Sequence, residues 1–102
     1  MKRRLLFIVT SDPRSSHRPA EAVRIAAGMA AWKEVEVSLY FCGEARRIVS
    51  DEAEALPDAD SLARNVAILR EAGAQLLTVG DGEPDYQALL EGIFHAESMG
   101  VW

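Results

Sequence analysis

Leu5-Leu6-Phe7-Ile8-Val9 is an unbroken apolar run near the start of the chain. It is short for a helix and lacks the polar alternation of a half-exposed strand. A strand covered on both faces of a parallel sheet has this pattern. Parallel pairing needs long crossovers, usually helical, so the remainder of the chain is expected to alternate between helix and strand.

That alternation is legible. The polar stretch Thr10 to Arg18 ends the first strand, and Pro19 suits the first turn of a helix. Val23, Ala26, Ala27 and Ala30 then recur at helical spacing, with Met29 and Trp32 completing the apolar side and Gly28 allowing close approach to the sheet. Val35 to Phe41 reads as a second strand closed by Gly43. Glu44 to Leu56 is expected to form a second helix through Ile48, Val49, Ala53 and Leu56, interrupted by Pro57, and the acidic stretch Asp51 to Asp60 a solvated face.

Ser61 is the expected N-cap of a third helix carrying Leu62, Val66 and Leu69, and Gly73 its left-handed stop. Gln75 to Val79 makes a third strand, and Gly80 to Pro84 a sharp exit loop. Asp85 then caps a fourth helix with Tyr86, Leu89, Leu90, Ile93 and Phe94 on its apolar face. Gly100-Val101-Trp102 is either a short edge strand or a tucked tail.

The sum is a single α/β domain spanning residues 1–102, a three-layer α/β/α sandwich on a mostly parallel sheet of 4–5 strands, flavodoxin-like in the broad sense. With 49% hydrophobic and 26% charged residues, the chain falls in the globular range rather than the disordered one. Its 11 Lys and Arg against 16 Asp and Glu give a net charge of −5, which disfavours nucleic acid and anionic membrane as partners. Met1-Lys2-Arg3-Arg4 before an apolar run resembles a signal peptide. The run is too short, and Ser11-Asp12-Pro13-Arg14 follows without a cleavage site. A cytoplasmic location is expected, and the lone Cys42 suits a reducing compartment.

Ligands of such sheets bind outside the carboxyl ends of the strands, where Thr10 to Arg18, Cys42 to Arg46 and Val79 to Pro84 should converge. Ser11, Asp12, Arg14, Ser15, Ser16, His17, Gly43, Gly80 and Asp81 are the candidate ligand-binding residues there, and Cys42 is the candidate catalytic one. The first loop offers donors to an anion held against a helix N-terminus. Cys42 has two readings. Before a helix N-terminus, with Arg46 and Arg47 within a turn, it is a thiol that reacts or carries sulfur; otherwise it is a small apolar residue ending a strand. Asp12 has no acidic neighbour, so no metal and no cofactor is expected. No phosphate-binding G-x-x-x-x-G-K-[ST] loop, dinucleotide fingerprint, nucleophile elbow or paired-cysteine spacing is present.

The order of elements, with Thr10-Ser11-Asp12-Pro13 after the first strand, Cys42-Gly43-Glu44-Ala45 after the second, and Glu71-Ala72-Gly73-Ala74 before the third, resembles the DsrE/DsrF-like family of small sulfur-metabolism proteins over most of the chain. The resemblance implies an α/β/α fold, cytoplasmic location and self-association as trimers or hexamers. It also implies a relay cysteine at the end of the third strand, where this chain has Val79. The expected function is therefore that of a divergent member binding a small anionic ligand or a protein partner in sulfur-related metabolism. The alternative is a sulfurtransferase or sulfur carrier that bears a persulfide on Cys42 and meets a sulfur-carrier protein partner. A phosphoryl-accepting receiver domain is excluded by the missing acidic cluster and late-strand lysine.

Overall fold

A computed structural model describes residues 3–32, 34–79, 90, 93 and 98–102. Strand β1 (Arg3–Val9) leads into helix α1 (Arg18–Ala30), then β2 (Val35–Cys42). Two 3-10 segments (Gly43–Val49 and Asp51–Ala55), helix α2 (Ala59–Glu71), β3 (Gln75–Val79) and β4 (Ser98–Val101) follow. The sheet order is β3-β2-β1-β4 with every pair parallel, which makes the apolar run a central strand. No described helix is long and apolar enough to cross a membrane.

Both sheet faces are covered. Phe7, Val9, Val37, Leu39 and Phe41 pack against Ala22, Val23, Ala26 and Ala27 of α1 and Leu62 and Leu69 of α2. Leu6, Ile8, Tyr40 and Val79 are buried on the opposite face, with Cys42 and Ile93 against them. Alternate residues of β1 thus serve two cores, the physical reason for its unbroken apolarity.

Several expectations hold at residue level. β3 spans Gln75–Val79 as read, and Gly73 ends α2 at φ +80°, where a Cβ would be strained. The C-terminal residues combine both readings offered for them. β4 is an edge strand among the described residues, and Trp102 tucks over Phe7 with ring centroids 5.0 Å apart. Gly100 makes that contact possible, since a Cβ there would lie 2.3 Å from the Trp102 ring.

Others are corrected. Glu44 to Leu56 is not one helix but two 3-10 segments broken at Ser50 (φ −112°, ψ 176°). The Ser50 hydroxyl donates to the Arg47 carbonyl at 2.8 Å and accepts from the Glu52 amide at 3.2 Å, replacing helical bonds with a local cap. The second segment buries no residue, so packing does not restore the helix. Helix α2 begins at Ala59, ahead of Ser61, with Asp58 at its N-cap position in left-handed backbone (φ 62°).

Gly28 does not bring α1 onto the sheet, because it is exposed and a Cβ there would meet nothing within 4 Å. Small Ala22, Ala26 and Ala27 make that approach instead. Trp32 is 67% exposed rather than part of the buried side. The expected fourth helix lies outside the described residues except for Leu90 and Ile93, both helical.

Candidate functional site

The exit of β1 is a self-bonded turn. The Asp12 carbonyl accepts from the amides of Ser15 (3.2 Å) and Ser16 (3.0 Å). Its Oδ1 accepts from the Arg14 amide at 2.9 Å, the Asx turn that an Asp-Pro-Arg stretch favours. The Arg14 guanidinium then closes on the same carboxylate through Nε (3.1 and 3.2 Å) and Nη2 (2.9 Å). These hydrogen bonds hold the Asp12 carboxyl below the usual carboxylate range and raise the Arg14 guanidinium. Asp12 is a fixed anion that orients Arg14.

Arg14 also joins two strand exits. Its Nη2 lies 3.4 Å from Glu44 Oε2, at the start of the segment following β2. Glu44 in turn accepts from Arg47 Nε at 2.6 Å, and Arg47 pairs with Glu52. The sequence reading missed Glu44 and Arg47 as partners, although their i,i+3 spacing is a readable ion-pair signal. Gly43 adopts φ +56° between Cys42 and this cluster, and its carbonyl accepts from Arg46 Nε at 3.0 Å.

His17 turns elsewhere. Its Nδ1 lies 3.0 Å from Asp58 Oδ2 at the N-cap of α2, a tertiary partner with no local signal. Ser16 Oγ accepts from the Arg18 amide at 3.2 Å, while Ser15 is exposed. The Thr10 and Ser11 amides both donate to the Trp102 carbonyl, at 2.6 and 3.1 Å, so the Ser11 amide is not open to a ligand. The tail continues the β1 ladder and fills that position. Gly80 and Asp81 lie outside the described residues. Among the described residues, no group of three or more His, Cys, Asp or Glu is placed to hold a metal.

Cys42 ends β2, partly buried on the face shared with Tyr40, Val79 and Ile93, its Sγ 4.0 Å from the Tyr40 carbonyl. In the parallel register it stands directly beside Val79 of β3, so neighbouring strand ends place the two side chains on one face.

The four-stranded parallel sheet and its helices superpose on a known structure. The chain has the fold of YchN. The YchN protein of E. coli matches at a TM-score of 0.77 over 100% of both chains, with 10% sequence identity. The YchN fold is a DsrE/DsrF-like fold, so the α/β architecture and its DsrE-like form are both established. No family profile and no curated protein sequence matches the chain.

Within this YchN-like framework, burial pushes the Cys42 thiol up, and the Arg46 charge offsets part of that rise. Iodoacetamide alkylation is therefore expected to be slower than that of a free cysteine at neutral pH. Its pH–rate midpoint should lie above the ordinary ~8.5, rising further in Arg46→Ala. The linked stability has the same sign. With the folded value raised, the thiol favours the folded state below the unfolded value, and that contribution is lost as pH rises through the folded value. A midpoint at or below that of the denatured chain would refute this account.

Proposed function

We propose that this chain is a divergent DsrE/DsrF-like protein that binds a small anion at the exits of β1 and β2, in sulfur-related metabolism. The observation supporting this reading is the Arg14 bridge. Asp12 orients a guanidinium whose Nη2, hydrogen-bonded to Asp12, also lies within reach of an exposed carboxylate from the next strand exit. Glu44 already occupies this position with an anionic group, and exposed pairs of this kind are worth ~1 kcal/mol or less, so exchange for a ligand is cheap. Arg46 supplies further positive charge beside it, while Arg47 is already paired with Glu44 and Glu52. The net charge of −5 is screened beyond about 10 Å and does not decide binding at close range.

Amide chemical-shift titration with sulfate and thiosulfate tests the reading. Shifts are expected to concentrate at residues 11–18 and 43–47 and to weaken about tenfold in Arg14→Ala, the loss of one charge-assisted bond. Shifts scattered over the surface, or unchanged in Arg14→Ala, would overturn it.

A second reading has its own support. The family resemblance sets a relay cysteine at the end of the third strand, and Cys42 stands one strand over from Val79 on the same face. In that reading the Cys42 thiolate attacks a sulfane sulfur of polysulfide. A Cys–S–S bond forms, the donor S–S bond breaks, and the shortened polysulfide leaves with the electron pair. The raised thiol weighs against it. Mass spectrometry after polysulfide treatment decides: an adduct on the chain that is absent in Cys42→Ser would favour the carrier over the anion binder.

A further inference from the structure

Strand β1 leaves the sheet through three donors aimed at one oxygen. The Trp102 amide donates to the Ile8 carbonyl at 2.8 Å, and the Thr10 amide donates back to the Trp102 carbonyl at 2.6 Å. Those two bonds are the ordinary parallel ladder carried one step beyond β4. Two further donors reach the same carbonyl and belong to no ladder: the Ser11 amide at 3.1 Å and the Thr10 hydroxyl at 3.0 Å. Successive amides of an extended strand point to opposite sides, so the backbone has turned to bring Thr10 and Ser11 onto a single acceptor. Adjacent amides gathered this way cradle anions. A set of two amides and a hydroxyl gains most from a charged oxygen, to which hydrogen bonds are about twice as strong.

The residue that fills this cradle is fastened by its side chain. Trp102 lies beyond Val101, where the β4 register with β1 ends, so it can leave without breaking that register. Its ring stacks on Phe7 with centroids 5.0 Å apart, and the absence of a Cβ at Gly100 makes room for it. The ring is the fastening and the carbonyl is the plug.

We propose that the amides of Thr10 and Ser11 and the Thr10 hydroxyl form the seat of a small oxyanion, and that Trp102 occupies this seat as an internal ligand which the anion displaces. The class of ligand rests on the anion reading above; the proposal adds the donors that seat it and the contact that withholds them. Affinity is then reduced by the share of molecules in which the seat is open.

Amide and indole chemical shifts of the full chain, titrated with sodium sulfate at constant ionic strength, test it. Trp32→Phe leaves Trp102 as the sole indole reporter. In that chain, sulfate should move the Thr10 and Ser11 amides and the Trp102 indole with one midpoint, because seating the anion expels the ring. Trp102→Ala and Gly100→Ala loosen the fastening by different routes, the first removing the ring and the second setting a Cβ against it. Each should lower the sulfate midpoint at Thr10 and Ser11 about tenfold, the scale of a lost ring pair. Adding Thr10→Val to either should raise it again by a similar factor, through loss of one donor. Thr10 and Ser11 amides that stay silent in both loosened variants would overturn the proposal. So would a midpoint that neither variant changes, or an indole that stays still while the amides move. The anion reading is judged separately. Shifts at residues 13–18 and 43–47 that vanish in Arg14→Ala, with Thr10 and Ser11 silent, would sink this proposal and keep the Arg14 bridge; a response at Thr10 and Ser11 unchanged in Arg14→Ala would do the reverse.

Discussion

Ile8→Asp is expected to leave the chain unfolded. Ile8 is 8% exposed near the end of β1, packed with Leu6, Tyr40 and Val79 and in register with Tyr40 on one side and Val101 on the other. Among the buried residues of that core no basic side chain is present to receive a carboxylate. Burying the group unpaired, or protonating it to avoid doing so, costs several kcal/mol, and a domain of this size has only about 5–15 kcal/mol in all. Far-UV circular dichroism and a thermal melt read the outcome. Ile8→Val, at ~0.5–1.5 kcal/mol, should still melt cooperatively. A cooperative melt of the aspartate variant near that of the parent would show that β1 is not the central buried strand.

Phe41→Ala should have the next largest effect. Phe41 is fully buried, pairs with Val9 and Thr78 across its two neighbouring strands, and directly precedes Cys42. Removing a buried phenyl ring costs about 3–5 kcal/mol in lost transfer energy and cavity. For a domain near this length each kcal/mol lowers Tm by roughly 4–8 °C, so a fall of more than about 10 °C is expected. Thr78 lies opposite in the register but is exposed, and Thr78→Ala should stay within ~0.5 kcal/mol. The loss of Phe41 should also loosen the end of β2 and speed alkylation of Cys42. Equal melts for the two variants would contradict the placement of Phe41 in the core beneath α1 and α2.

Much of the framework was legible because it depends on local pattern. The Leu5–Val9 run, the helical spacing of Val23, Ala26 and Ala27, and the bounds of β3 each follow from period and burial within a few residues. Gly73 needed only the steric freedom of its own backbone. Where local forces compete, the reading failed. Glu44 to Leu56 has helical spacing, but Ser50 caps against Arg47 and Glu52, and the acidic second half buries nothing that would outweigh those bonds. Met29 packs against the core as its helical spacing implies, whereas Trp32 lies past the end of α1 and stays exposed.

The candidate site divides along the same line. Asp12 and Arg14 are two positions apart, and their turn is inherent in the local sequence. By contrast, the Glu44 partner of Arg14 is 30 positions away, Asp58 is 41 from His17, and the Trp102 carbonyl reaches Thr10 across 92. Cys42 stands beside Val79 only because β2 and β3 pair in one particular register. The sequence by itself determined strands β1 to β3 and helices α1 and α2 to within a few residues, because periodicity and turn chemistry act over that range. Only the tertiary structure decided which donors at the strand exits are occupied and which side chains meet, because strand register and helix docking are set by the packing of the whole core.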